Sequence, residues 1–245
     1  MQPTTLTLFR RVGVGPGMTC LEVGCGGGDV ALDLARMVGP EGNVIGTDVD
    51  SAKIEIAQRE ARAGQVSNVE YRLADITQDS FEEKFDFVHA RFLLTHLPIP
   101  GVALAKMREA LRPGGVVVLE DIDFRGHFCH PDSPAFWRYI ELYSEIVKRR
   151  GGDAYIGPRL PALLSEAQFE NIQMNVVQPA GIGGEVKLMA PLTMENIADA
   201  VVAEGLTNRT EVEDLVVKLY EYACTPYTVS SMPRVVEAWG SRSKP

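Results

Sequence analysis

The chain has 245 residues, of which 45% are apolar and 23% charged, and its formal net charge is −9. A chain of this length buries roughly 75% of the surface its unfolded form exposes, so a single large core, with or without a cap, is expected. The acidic balance argues against a nucleic-acid substrate, because neutralising phosphates requires a basic face, and the one basic cluster, Lys148-Arg149-Arg150, is short and reads as a solvated helix end.

Cys20 to Val23 reads as a buried strand that turns into Gly24, Gly26, Gly27 and Gly28. A helical pattern over 28–38 follows, with Val30, Leu34 and Val38 on one face. Strand, glycine turn and helix let a backbone approach a ligand closely and aim helix N–H groups at it. Gly24 and Gly26 fit the dinucleotide signature Gly-x-Gly-x-x-Gly, but its third place is Asp29, an acid that disfavours a diphosphate at that helix start. Further strands read at 43–47, 69–74, 85–89, 115–121 and 171–177, with helices at 51–63 and 101–111 between them. The unbroken apolar run Val116-Val117-Val118-Leu119 implies a sheet covered on both faces. The alternation implies a doubly wound, mostly parallel α/β sheet that binds ligands at the carboxyl ends of its strands. Helices at 134–150 and 158–167, joined by Gly151-Gly152, mark a helical insert over 126–168 within a core of 1–178. The remainder, 179–245, is expected to hold a C-terminal strand and helices that cap the substrate, with helices from Glu195 to Glu204 and from Thr210 to Ala223, and Ser, Gly and Pro close the chain.

Polar residues stand just past several strands. Asp48 follows the second strand, 24 residues after Gly24. A carboxylate there can accept both hydroxyls of a ribose. It can also cap the helix starting near Ser51, a role Asp50 suits better. Asp75, in Tyr71-Arg72-Leu73-Ala74-Asp75-Ile76, can accept from an adenine amine or form a turn before Thr77 and Asp79.

Glu22 to Gly28, Asp48, Ala74-Asp75, Phe85 to Arg91 and Leu111-Arg112-Pro113-Gly114-Gly115 resemble, in order and spacing, the Rossmann-like S-adenosylmethionine (SAM)-dependent methyltransferases. The resemblance covers about residues 10–178. It implies a seven-stranded sheet with the last strand antiparallel, SAM as cofactor and S-adenosylhomocysteine as product. It places Glu22, Gly24, Cys25, Gly26 and Gly28 near the amino-acid portion of SAM. Asp48 with Val49 would meet the ribose, Ala74, Asp75 and Ile76 the adenine, and Ala90 and Arg91 the methionine half. SAM carries no phosphate, so acids beside its loop are tolerable. The run His89 to Leu97 and the later Gly157-Pro158-Arg159-Leu160-Pro161 look like the subgroup acting on small molecules. Members of that subgroup carry further residues ahead of the first helix that help close over SAM. This chain starts almost at that helix, with Gln2-Pro3-Thr4-Thr5, so truncation or a lid from another segment is implied.

Methyl transfer from a sulfonium relies on positioning, with a general base where the acceptor is a hydroxyl. Candidate groups after the fourth and fifth strands are Arg91, His96, Asp121, Asp123, His127 and His130. His127 and His130 are the expected base or substrate ligands. His96, Asp123, Phe128 and Tyr155 are expected at the substrate, although His96 on an apolar helix face also reads as a packed histidine. His127, Cys129 and His130 lack a fourth ligand, so no metal is expected. The aromatics Phe124, Phe128, Phe136, Trp137, Tyr139, Tyr143 and Tyr155, joined by Tyr222 and Tyr227, form either ordinary packing or an apolar cap over a small organic substrate. A SAM-binding protein that transfers no methyl group is the alternative, and a nicotinamide-dependent oxidoreductase is disfavoured by Asp29. The four cysteines, Cys20, Cys25, Cys129 and Cys224, form no Cys-x-x-Cys pair, which fits a reducing cytoplasmic setting. No apolar run approaches about 18 residues and no signal-peptide pattern opens the chain, so no membrane partner is expected. Monomer and homodimer both remain open.

Overall fold

The computed structural model describes residues 2–244. Met1 and Pro245, the outer ends of the segments 1–178 and 179–245, lie outside the described residues. In chain order the elements are α1 (Gln2–Arg11), β1 (Thr19–Val23), α2 (Asp29–Val38), β2 (Asn43–Asp48), α3 (Ser51–Ala63), β3 (Val69–Leu73), β4 (Phe85–Arg91), α4 (Pro100–Ala110) and β5 (Leu111–Asp123). There follow β6 (Cys129–His130), α5 (Pro134–Arg149), α6 (Leu160–Glu166), β7 (Glu170–Val177), β8 (Ala180–Gly181), α7 (Glu185–Ala203), α8 (Arg209–Cys224), β9 (Val229–Ser231) and β10 (Arg234–Ser241).

Local chemistry sets the helix starts. The Asp50 carboxylate accepts from Ala52 N–H and caps α3, Ser133 Oγ accepts from Phe136 N–H ahead of Pro134 in α5, and Asn208 Oδ1 accepts from Glu211 N–H in α8. A seven-stranded sheet results, in the order β3-β2-β1-β4-β5-β10-β7. β1 to β5 are parallel, and β10 runs antiparallel to both β5 and β7. One face packs Leu8 and Phe9 of α1, Val30 and Leu34 of α2, and Ile54 and Ala57 of α3. The other packs Leu104 and Met107 of α4 with Leu160, Leu163 and Leu164 of α6. α6 is therefore a sheet-covering helix, although it falls in the stretch that the sequence reads as an insert. A third cluster joins α5, α7 and α8 to Ile122 and Phe124 at the end of β5 and covers the carboxyl end of the sheet there. β6, β9 and β8 form a small antiparallel sheet beside it.

Two elements depart from the residue pattern. The helix expected from Glu195 starts at Glu185 and runs through Pro191. A proline in a helix interior costs about 3 kcal/mol, and burial of Ala190, Met194 and Val201 in the third cluster offsets it. The final strand, β10, is hidden in the sequence because Glu237 and Gly240 interrupt its apolar run. Only the family resemblance implies it.

Candidate active site

The carboxyl ends of β1 to β4 border a cleft of about 470 Å³. Gly24 and Gly26 form its floor, Asp48 and Val49 follow β2, Ala74, Asp75 and Ile76 follow β3, and Arg91 ends β4. The Asp48 carboxylate is not free: Oδ2 accepts from Gly26 N–H at 2.9 Å and Oδ1 from Asp50 N–H at 3.0 Å. These bonds fix its direction at the mouth of the glycine turn and leave further lone pairs for a ligand. Asp75 does form the turn, since Oδ1 accepts from Thr77 N–H at 2.8 Å and from Thr77 Oγ1 at 2.7 Å, while Oδ2 accepts from Gln78 Nε2. It lines the cleft as well.

Four residues expected at the cofactor do not line this cleft. Glu22, Cys25 and Ala90 are buried beneath it. Gly28 carries φ +86° at the start of α2, where Tyr71 Oη donates to its carbonyl at 3.1 Å. Val23, Lys53, Phe92, Leu93 and Leu97 line the cleft without having been singled out. Lys53 had a signal, because the first turn of a helix following a strand end faces the same edge. Phe92 had none: its φ of +55° is rare for a bulky residue and marks a constrained position.

A second cavity, of about 120 Å³, lies between α5, α7 and the residues around β9. Phe92 lines both cavities, so they adjoin at this residue. Phe124, Tyr139, Tyr143, Met189 and His127 form much of the second wall. His127 is buried, and its Nδ1 lies 3.1 Å from the Ser231 carbonyl, which only accepts, so Nδ1 donates. Its Nε2 has no partner, and burial pushes its pKa down to about 4.

The other acceptor-side candidates do not line this second cavity. His130 is exposed on the ladder between β6 and β9. Asp123 is buried and does not line this cavity; Oδ1 accepts from Arg125 N–H at 3.1 Å and Oδ2 from Arg234 Nη2 at 2.7 Å. Phe128 projects outward with its side chain exposed. Tyr155 lines an outer groove with Glu141 and Lys148, and the Arg125 guanidinium sits 4.3 Å over its ring. His96 sits in a short 3-10 turn at the rim of the first cleft, not on a packed helix face. Tyr227 is 85% exposed and takes no part in the cap. Asp121 is fully buried and accepts from Thr95 N–H at 3.1 Å and Ile122 N–H at 2.9 Å. Burial raises its pKa to about 7.

Under the glycine turn lies a buried acid–histidine–acid chain. His89 Nε2 is 3.1 Å from Glu120 Oε1, and its Nδ1 is 3.8 Å from Glu22 Oε1. Burial alone would lower the His89 pKa, but the hydrogen bond to Glu120 and the charges of Glu120 and Glu22 outweigh it and hold it above 6.5. Burial holds Glu22 up, while the His89 bond and charge overcome burial at Glu120 and hold it down. A raised histidine stabilises the fold fully below its unfolded pKa, and the contribution fades as pH rises through the folded one. Melting temperature should therefore fall as pH rises above 6.5, and NMR should find the His89 ring more than half protonated at pH 6.5. A ring already neutral at pH 6.5 would contradict this.

The sequence profile of a family described as a methyltransferase domain matches residues 15–149, more than half of the chain. The chain belongs to this methyltransferase-domain family. As a methyltransferase-domain protein it is 32% identical over 141 residues to demethylmenaquinone methyltransferase of Staphylococcus aureus (strain JH9). That alignment covers 57% of this chain and 55% of the relative, so the chain spans about half the length of the curated relatives it matches. Its fold matches phosphoethanolamine N-methyltransferase 2 of Haemonchus contortus with a TM-score of 0.62 at 17% identity, over 99% of this chain and 53% of that one. It matches the [4+2]-cyclase SpnF with a TM-score of 0.63 at 19% identity, over 99% of this chain and 81% of that one. The methyltransferase-domain match ends at the last residue of α5, so α7, which lines the second cavity, and α8, which packs in the same cluster, lie beyond it.

Proposed function

We propose that this protein transfers a methyl group from SAM to a small organic molecule and releases S-adenosylhomocysteine. The observation that carries the reading is the pairing of a glycine-floored cleft with Asp48 held at its mouth by Gly26 N–H. The residues present suit SAM better than a dinucleotide. Asp29, exposed at the first position of α2, puts a carboxylate where a diphosphate would need to sit. Asp48 would accept the ribose hydroxyls, Val49 would border the ribose, and Asp75 with Ala74 and Ile76 would hold the adenine. Gly24 and Gly26 would admit the amino-acid portion, with Glu22, Cys25, Gly28 and Ala90 supporting it from beneath. Arg91, already tied to Thr5 at 3.4 Å and Asp29 at 3.5 Å, would offer its guanidinium to the carboxylate. Bound SAM supplies an electrophilic methyl on a sulfonium; the chain's own residues orient the acceptor and exclude water.

The two segments divide this work in the proposal: 1–178 holds SAM, while part of the insert, α5, joins α7 and α8 of 179–245 to cover the acceptor. The acceptor is a small molecule, not a nucleic acid, in keeping with the net charge of −9. Four free cysteines suit a reducing cytoplasm, and among the described residues no helix is long and apolar enough to cross a membrane.

Asp48→Ala should weaken SAM binding more than about tenfold by calorimetry, because a buried charged hydrogen-bond partner is worth about 1.5–3 kcal/mol. Asp48→Asn, which keeps an acceptor for Gly26 N–H, separates loss of the ligand contact from loss of the loop. Unchanged affinity in both variants would sink the assignment.

A further inference from the structure

The second cavity is small and, at its walls, uncharged. Its volume of about 120 Å³ is near that of an apolar cavity of roughly 150 Å³ that takes up benzene. Phe124 and Tyr143 stack at 4.0 Å between centroids with 7° between planes, giving it a flat side. Met189 and Met232 line it with adaptable thioethers. No Lys, Arg, Asp or Glu is among its lining residues, so neither a phosphate nor a quaternary amine would find a counter-charge.

One buried polar atom there is unexplained. His127 is only 7% exposed, its Nδ1–H is taken by the Ser231 carbonyl, and Nε2 is left as a buried acceptor with no donor among the described residues. A buried orphan of this kind calls for a partner. A hydroxyl on the ligand is such a donor, whereas an ether or a carboxylate is not.

We infer that this cavity seats the methyl acceptor, a neutral single-ring apolar molecule, and that His127 Nε2 accepts a hydrogen bond from a hydroxyl on it. The inference rests on the methyltransferase reading and deepens it by naming the acceptor's class. His127 is then a binding and selecting residue. Its depressed pKa keeps the lone pair available throughout the neutral range but makes the ring a poor proton sink. The shared wall at Phe92 brings the seated ring against the cleft where SAM would lie.

The test uses the full chain with p-cresol and with p-xylene, which has a methyl group in place of the hydroxyl. Titrations followed by NMR should show p-cresol binding about tenfold tighter, with a shift of the His127 Nε2 resonance. His127→Phe should erase the preference, and His127→Gln, which retains a carbonyl acceptor, should keep part of it. Met189→Trp, at a half-exposed position on the cavity wall, should weaken both ligands. Equal affinities in the unaltered protein, an undiminished preference in His127→Phe, or indifference to Met189→Trp would each overturn the inference. SAM calorimetry is run alongside: p-cresol selection without SAM binding would defeat the methyltransferase reading alone, and SAM binding without p-cresol selection would defeat the acceptor seat alone.

Discussion

Replacing Glu120 by alanine should destabilise the protein by about 3–5 kcal/mol, the cost of breaking a buried ion pair by removing one partner. Glu120 is fully buried and has two partners: His89 Nε2 at 3.1 Å and Thr5 Oγ1 at 3.0 Å. Its loss leaves a buried imidazolium facing only Glu22, at 3.8 Å. It also removes one of the two bonds that tie Thr5 of α1 to the sheet, leaving that from Arg91 at 3.4 Å. A domain's whole margin is about 5–15 kcal/mol, so much of it would go. Urea unfolding measures this. Glu120→Gln keeps the shape and an acceptor while dropping the charge, and should lose less. A loss below about 1 kcal/mol in the alanine variant, which is ordinary for a substitution with no special mechanism, would mean that the chain of buried charges contributes little.

The second large effect belongs to Gly28→Val. A Cβ at this position would lie 2.5 Å from Tyr71 Oη and 2.8 Å from Ala57 Cβ, and φ is +86°. Left-handed backbone costs a non-glycine residue about 1–2 kcal/mol, and overpacking adds about 1–3 kcal/mol, so a total loss of about 2–5 kcal/mol is expected. Gly26→Ala is the control. Its φ of +55° carries the backbone strain, but no atom lies within 4 Å of the added Cβ. Thermal unfolding of the two variants should therefore separate clearly. Equal losses would show that contact with Tyr71 and α3 is not what constrains the turn.

The residues whose placement is legible in the sequence are those set by local structure. The glycine turn, Asp48 and Asp75 stand at strand ends, and six of the sheet's seven strands are visible in the residue pattern. The cleft was legible for the same reason, because parallel strands deliver their carboxyl ends to one edge. What the sequence concealed depends on partners far away in the chain. Asp123 looks like a site residue until Arg234, 111 positions later, satisfies it. His127 and His130 look equivalent, and only the Ser231 carbonyl and the β6–β9 ladder turn one inward and leave the other outside. His89 reads as the end of an apolar strand, and its two carboxylate neighbours come from β1 and β5. Pro191 broke a helix in the pattern that burial against α5 and α8 keeps whole.

β10 has a bearing on how the chain is made. It sits between β5 and β7 and is the only neighbour β7 has in the large sheet. Residues 234–241 leave the ribosome well after both β5 and β7. At about 5–20 residues per second, the nascent protein spends several seconds with the outer edge of β5 open and β7 already synthesised but unable to join. An unpaired strand edge is a template for pairing with another chain. Crowding of ribosomes on one message would thus bring open β5 edges side by side, and the protein's yield should depend on translation spacing more than its finished stability suggests.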